Sequence, residues 1–315
     1  MGFAIETIDL TKRYGSLTAV DKLNLRVKAG TIHGFLGPNG AGKTTTIKIL
    51  VGLLKPNEGI VKIFDQETKG DKPDVRLKIG YMPELPKFPK HLTGYELLDI
   101  YGEMYGLTKI TRKEQVPKLL EMVGLKDRGR DRIGKYSKGM QQRVGIAQAL
   151  INEPELVILD EPSLGLDPVG MVEVRELVKE IAKEGTTVFL SSHLLHEVQQ
   201  ICGEITIINR GISLASGTLE EVSTKFARLT TLEVEISEYS DAVVEKLKEF
   251  PFVSQISVSD KKIMIQTEAK EDIRLQVSKT ITDSGAVIVS MNLREPSLED
   301  VFMRLVAESE GVKKK

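Results

Sequence analysis

The octapeptide Gly37-Pro38-Asn39-Gly40-Ala41-Gly42-Lys43-Thr44 matches the phosphate-binding pattern G-x-x-x-x-G-K-[ST] at every fixed position. Residues 31–36 before it are typical of a short apolar strand, and residues 45–54 after it predict a helix. In this context the glycines let several backbone N–H groups face one point, where the helix N-terminus adds its positive dipole end. Lys43 can reach the β- and γ-phosphates, and Thr44 can place its hydroxyl on Mg²⁺. A glycine-rich turn with a chance lysine is the alternative, but the flanking pattern favours a nucleoside triphosphate site.

Composition limits the other classes of function. The 315 residues are enough for two domains, and a formal net charge of −1 gives no bulk field that would draw the chain to nucleic acid or anionic lipid. The single cysteine, Cys202, allows no disulfide within the chain and favours a reducing compartment. No apolar run approaches the ~18 residues of a transmembrane helix, and the N-terminus does not read as a signal peptide. We therefore expect any membrane span to come from another chain.

Two adjacent carboxylates follow a second apolar strand. Residues 155–159 form a near-continuous apolar run that ends in Asp160 and Glu161, which predicts a buried parallel strand with acids at its ligand-binding end. Neighbouring residues point to opposite sides of a strand. One carboxylate can therefore face Mg²⁺ while the other faces an attacking water, which is the division that phosphoryl hydrolysis needs. Two solvated carboxylates are the alternative, and the apolar strand argues against it.

The rest of the first 225 residues predicts a sheet region at the N-terminus and a helical insert. Residues 3–10 and 23–27 alternate like strands, and residues 12–15 predict a turn that exposes Tyr14, an aromatic that could stack on a purine or be a plain loop tyrosine. A helical pattern runs over residues 93–124 within an insert at about 85–150. Ser137 is a natural N-cap for the helix that follows it.

The chain changes character after residue 217. Strands are predicted at 231–237, 253–259, 262–267 and 286–293, and helices at 241–250 and 271–283. This β-α-β-β-α-β order is that of the ferredoxin-like split arrangement. No phosphate loop or catalytic dyad is evident there, so we predict a domain at 1–225 that binds nucleotide and an accessory or regulatory α+β domain at 226–315.

These motifs together resemble the ATP-binding subunits of ABC transporters, most of all the ABC-2-type exporter branch that handles drugs, antibiotics, lipids or polysaccharides. Residues 37–45 are similar to the Walker A loop, 136–143 to the signature sequence, 156–161 to Walker B and 164–167 to the D-loop. The resemblance implies an α/β P-loop NTPase core of the ABC ATPase type, with an N-terminal antiparallel β subdomain and a helical insert. It also implies ATP hydrolysis with ATP and Mg²⁺ as cofactors.

The resemblance assigns roles residue by residue. Tyr14 matches the aromatic that stacks on adenine, and His193 matches the switch histidine. The implied nucleotide contacts are Tyr14, Gly37, Pro38, Asn39, Gly40, Ala41, Gly42, Lys43, Thr44, Thr45, Ser137, Gly139 and Asp167, the implied catalytic residues are Lys43, Glu161 and His193, and the implied metal ligands are Thr44, Glu84 and Asp160.

The chain departs from the family pattern at two motifs. Glu84 stands where the family usually has glutamine, so a ligand oxygen is kept and the amide donor is lost. In the signature, Lys138 and Met140 replace the usual glycine and glutamine, whereas Ser137 and Gly139, implied to contact the γ-phosphate across a dimer, are kept. Lys138 can either add a charge there or remain solvated.

These motifs discriminate between three candidate functions. The favoured one is a transport ATPase at the inner face of the membrane, paired with a second nucleotide-binding subunit and a separate transmembrane permease, with no nucleic acid as partner. A soluble ABC ATPase acting on ribosomes or DNA is the alternative, and a generic P-loop GTPase or kinase is disfavoured by the signature and His193. An H-x-x-H metal site at His193 and His196 is conceivable, but a surface position for His196 is favoured.

Overall fold

The computed structural model describes residues 2–68, 73–226, 230–238, 241–267, 272–294 and 298–311. The chain divides into two compact units, Met1–Thr218 and Leu219–Lys315, each of which is described by itself. The composition change predicts a boundary near residue 225; in the structure the helix Leu219–Phe226 groups with the C-terminal unit.

An antiparallel sheet begins the first unit. Its strands, numbered in chain order, are β1 (Phe3–Tyr14), β2 (Leu17–Lys28), β4 (Glu58–Ile63) and β5 (Gln66–Glu67), in the order β2-β1-β4-β5. The turn predicted over residues 12–15 is wrong in extent, because β1 continues to Tyr14, which pairs with Leu17 across the hairpin. Register shifts along β1 mark bulges that interrupt the period-two pattern and hide the strand's true length.

A six-stranded sheet lies at the centre of the first unit, in the order β10-β9-β3-β8-β7-β6. Five of its strands are parallel, and β10 closes the edge as an antiparallel hairpin with β9. Every residue of β7 is buried, as a strand covered on both faces requires. The strands are β3 (Ile32–Leu36), β6 (Ile79–Met82), β7 (Leu156–Asp160), β8 (Thr187–Ser192), β9 (Glu204–Asn209) and β10 (Ile212–Thr218).

Helices connect and cover these strands. The predicted helical pattern over 93–124 is two helices, α3 and α4, joined by an Arg112 Nε–Asp99 Oδ1 ion pair of 2.9 Å. One apolar core contains residues from both sheets and from the helix after the phosphate loop, with the Phe35 and Phe189 rings 5.3 Å apart at its centre. The helices are α1 (Lys43–Leu50), α2 (Pro73–Leu77), α3 (Gly94–Met104), α4 (Lys109–Met122), α5 (Lys138–Leu150), α6 (Pro168–Lys183) and α7 (Leu195–Ile201).

The second unit is an α+β fold with its own core. Its four strands follow the order β12-β13-β11-β14 and pair antiparallel throughout, which confirms the predicted β-α-β-β-α-β arrangement. The inward side chains of β11 and β13 pack with α9 and α10. The elements are α8 (Leu219–Phe226), β11 (Thr230–Ile236), α9 (Asp241–Lys248), β12 (Val253–Ser259), β13 (Lys262–Thr267), α10 (Arg274–Asp283), β14 (Ile288–Arg294) and α11 (Leu298–Gly311).

Candidate nucleotide-binding site

The phosphate loop leaves β3 and enters α1 at Lys43, two residues earlier than the helical pattern predicts. Gly42 caps the helix in the left-handed region, with φ at 106°. A Cβ atom on Gly42 would lie 2.5 Å from the Ala19 carbonyl oxygen, and one on Gly37 would lie 2.3 Å from the Ile208 carbonyl oxygen. Only glycine therefore lets the loop pass this close to the neighbouring strands.

Lys43 spans the loop that precedes it. Its Nζ atom donates to the Gly37 carbonyl oxygen at 2.7 Å and to that of Pro38 at 3.3 Å. The same ammonium lies 3.1 Å from Glu161 Oε1, and both side chains are less than a tenth exposed. The lysine therefore holds the loop in shape and pairs with the carboxylate at the end of β7.

Asp160 and Ser191 are register partners on β7 and β8. Ser191 Oγ donates to Asp160 Oδ1 at 2.6 Å and accepts from the Glu161 N–H at 2.9 Å, so one hydroxyl orients both acidic residues. Burial raises the pKa of Asp160, and the Ser191 and Thr44 hydroxyls offset only part of that rise. Within the described residues, Asp160 Oδ2 is buried and makes no hydrogen bond. This free carboxylate oxygen beside the Thr44 hydroxyl is the oxygen donor set that Mg²⁺ prefers.

Glu161 also contacts His193. Its Oε2 atom lies 2.8 Å from His193 Nδ1, and the histidine is the more exposed of the two side chains. The backbone of Glu161 has a φ of 50°, an uncommon conformation for a residue with a side chain. In this conformation the carboxylate lies against Lys43 of the phosphate loop.

A single pocket collects most of the predicted site residues. Its lining includes the hairpin residue Tyr14 and the predicted metal ligand Glu84, together with Glu161, His193 and all of residues 38–45. Tyr14 is 46% exposed, so its ring is available to a ligand. Gly37 and Asp160 do not line this pocket. The Gly37 carbonyl oxygen accepts a hydrogen bond from Lys43, and Asp160 is buried beside Ser191. The structure thus brings together residues from the hairpin, the phosphate loop, β7 and β8.

Ser137, Gly139 and Asp167 lie elsewhere, since they are not among the described residues that line this pocket. Ser137 caps α5, its Oγ accepting from the Met140 N–H at 3.2 Å, and Asp167 caps α6 through the Gly170 N–H at 2.9 Å. The Lys138 ammonium lies against Gly165, where an added Cβ would meet it at 2.0 Å.

Sequence reasoning missed Ser191 and the apolar wall of the pocket formed by Leu17, Ala19 and Leu164. A signal for Ser191 was present, because it follows the apolar residues 188–190 as Asp160 follows the run 155–159. Parallel neighbouring strands place two such residues side by side. Leu17 carried no comparable signal, because it reaches the pocket only through the unforeseen extension of the hairpin.

The alternative metal site finds no support in the described part of the chain. No group of three or more His, Cys, Asp or Glu side chains that could hold a metal ion is found there. Cys202 is buried, and burial raises the pKa of its thiol. In the same described residues, no helix has the length and apolar character needed to cross a bilayer.

The sequence is similar to known transport proteins over nearly its whole length. Residues 20–164 match the family described as "ABC transporter", and residues 217–306 match "ATP-binding protein DrrA1-3-like, C-terminal domain". The chain is 39% identical over 307 residues to the bacitracin transport ATP-binding protein BcrA of Bacillus licheniformis, covering 97% of this chain and 98% of that protein. It belongs to the family of ABC transporter ATP-binding proteins.

Other members of the family agree with this assignment. The daunorubicin resistance ATP-binding protein DrrA3 of Streptomyces coeruleorubidus is 33% identical over 314 residues, covering 98% of each chain. A solved ATP-binding subunit of an ABC transporter is 33% identical with a TM-score of 0.65, covering 71% of this chain and 93% of that chain. A dimeric bacterial ABC transporter cassette is 27% identical with a TM-score of 0.63, covering 68% of this chain and 98% of that one.

This ABC protein is the ATP-binding subunit of an exporter-type transporter, and it binds and hydrolyses ATP. The predicted α/β fold and the resemblance to the exporter branch are both confirmed. A soluble ATPase acting on ribosomes or DNA is not favoured by these relatives.

Proposed function

We propose that the pocket beside the phosphate loop hydrolyses MgATP and that hydrolysis drives a separate permease. The observation that carries the proposal is the position of Glu161, whose carboxylate touches the phosphate-binding Lys43 on one side and His193 on the other. Tyr14 stacks on the adenine, and the loop N–H groups with Lys43 hold the phosphates.

The position of Glu161 between Lys43 and His193 suggests how the hydrolytic step proceeds. When the γ-phosphate takes Lys43, the Glu161 carboxylate becomes available to orient the attacking water and accept its proton. His193, fixed by its Nδ1 contact to Glu161, faces the γ-phosphate with its other ring nitrogen. Thr44, Asp160 and Glu84 are the residues that would hold Mg²⁺. The metal ion would neutralise charge that develops between the β- and γ-phosphates.

A second subunit completes each site in this proposal. Ser137 and Gly139, which the family pattern places on the γ-phosphate, are not among the residues lining the pocket of their own chain. The N-terminus of α5, where Ser137 lies exposed, is suited to approach a phosphate carried by another copy. Relatives of known structure include dimeric cassettes, which supports a sandwich of two chains around two ATP molecules.

The relatives also suggest a cargo. Their names refer to bacitracin, daunorubicin and linearmycin, which are antibiotics. We infer that this subunit, bound to its permease at the inner face of the cell membrane, drives the export of a compound of the antibiotic class. The region after residue 225 serves as an accessory or regulatory domain.

The decisive variant is Glu161→Gln, which keeps size and hydrogen bonding but removes the basic carboxylate. Its ATP turnover should fall by about 10²- to 10⁴-fold, the usual contribution of a positioned base. MgATP binding should persist, and size measurement with ATP present should show a dimer, whereas Lys43→Ala should lose nucleotide affinity and stay monomeric. Glu184→Gln, at an exposed carboxylate, is the matched control.

Turnover close to wild type in Glu161→Gln would remove the glutamate from the mechanism and make His193 the next candidate.

Purification of the chain under native conditions tests the proposed permease partner. A multi-span membrane protein should co-isolate with the chain, and a ribosome in its place would contradict the proposed transport role.

A further inference from the structure

Glu197 is a buried acid in the first turn of α7, four residues after His193. The residue is only 8% exposed, and its Oε1 atom is buried without a hydrogen-bond partner among the described residues. Burial raises the pKa of the Glu197 carboxyl, and the neighbouring Ser163 hydroxyl offsets part of that rise. A buried polar atom without a partner costs stability. Packing alone would therefore be served better by an apolar side chain at this position.

Glu197 lines a cavity of about 10 Å³. Its walls include residues 162–163, which follow Glu161, and residues 191–192, which precede His193. A cavity of this size is about the smallest that can hold one water molecule. The Glu197 side chain therefore shares a cavity with the residues that follow Glu161 and with the end of β8 that precedes His193.

The charges that face Glu197 come from two helices and from the site itself. Arg175 on α6 and His196 on α7 favour the ionised carboxylate, and Glu161 opposes it. Arg175 also lines the cavity, so the polar cluster is continuous from α6 to the carboxyl of Glu197. Glu197 thus lies in a built polar environment next to the hydrolytic centre.

We propose that Glu197 is a positioning residue for ATP hydrolysis. It joins residues 162–163, which follow Glu161, to the end of β8, which precedes His193, through the Ser163 hydroxyl and one water molecule in the cavity. The inference rests on the proposed function, because it concerns the alignment of Glu161 with His193. Their 2.8 Å contact lies between the two joined segments, and loss of the connection would let one segment shift against the other. A misplacement of about 1 Å can cost about 10²-fold in rate.

Steady-state kinetics on the purified full-length chain test this role. Glu197→Ala should lower kcat by about 10- to 100-fold with KM for MgATP and the melting temperature nearly unchanged. Glu197→Gln, which keeps the size and most of the hydrogen bonding, should restore most of the turnover. Ser163→Ala removes the other end of the connection and should also lower kcat. The double variant should be no slower than the slower single variant, since both remove the same connection.

Several results would overturn the proposal. One is a wild-type kcat in Glu197→Ala. Another is a loss of kcat that comes with equal losses of ATP affinity and melting temperature and is not rescued by Glu197→Gln. If Glu197→Ala does not fold, Ser163→Ala decides, and a wild-type kcat there counts against the connection. Normal turnover in Glu161→Gln would instead refute the proposed function, whatever happens at Glu197.

Discussion

At the scale of single residues, His33 shows how burial makes stability depend on pH. Its ring is buried on β3, stacked on Phe189, with Nε2 at 2.9 Å from Thr206 Oγ1. Burial lowers the pKa of His33 to about 4. Glu204 Oε2 is 4.0 Å from Nδ1, too far for a hydrogen bond that would offset the burial. The folded chain therefore keeps a neutral histidine that the unfolded chain protonates below about pH 6.5.

The sign of the effect follows from proton binding. Between pH 6.5 and about 4 the unfolded state binds more protons at His33, so the free energy of unfolding falls as pH falls. We predict that this histidine alone removes about 2 kcal/mol between pH 7.5 and pH 5. Urea unfolding at both pH values should show a smaller loss for His33→Gln. The exposed His91→Gln should behave like wild type, and parallel profiles for wild type and His33→Gln would contradict the prediction.

At the scale of the element, α5 and α4 begin in the same way and allow a capping role to be separated from a nucleotide role. Ser137 accepts from the Met140 N–H at 3.2 Å, and Thr108 accepts from the Thr111 N–H at 3.2 Å. Ser137→Ala and Thr108→Ala should each lower the free energy of unfolding by about 1 kcal/mol. Only Ser137→Ala should also lower ATP turnover and ATP-dependent dimerisation. An equal loss of turnover in both variants would leave Ser137 with a capping role alone.

The same scale shows what the sequence can predict. The phosphate loop and the strand ending in Asp160 and Glu161 were predicted because contiguous residues determine them. The contacts of Lys43 with Glu161 and of Ser191 with Asp160 were not, because they depend on β8 lying between β3 and β7. Strand order arises from packing between distant segments, which no local pattern encodes. Bulges also break the alternation of apolar and polar residues in β1. The sequence therefore predicted a turn over residues 12–15, where the strand continues to Tyr14.

At the scale of the whole molecule, all residues of the pocket and one complete core lie within the unit Met1–Thr218. The C-terminal unit has a separate core around β11 and β13. We predict that a chain ending after Thr218 folds cooperatively and binds ATP with the affinity of the full chain. Urea unfolding and nucleotide titration would check this, with the full-length chain as control. A folded truncated chain that cannot bind ATP would show that the accessory domain takes part in nucleotide binding.

The ion pair between Lys43 and Glu161 has a consequence for the order of events in the proposed ATP hydrolysis. In the structure, the ammonium that we propose for the γ-phosphate is paired with the carboxylate that we propose for the attacking water. Each of these two buried groups neutralises the charge of the other. In the proposed mechanism, the triphosphate therefore has to displace Glu161 from Lys43 before the glutamate can act on water. We therefore expect the pair to act as an interlock: binding of ATP makes Glu161 available for hydrolysis, and the return of Lys43 to Glu161 makes it unavailable again.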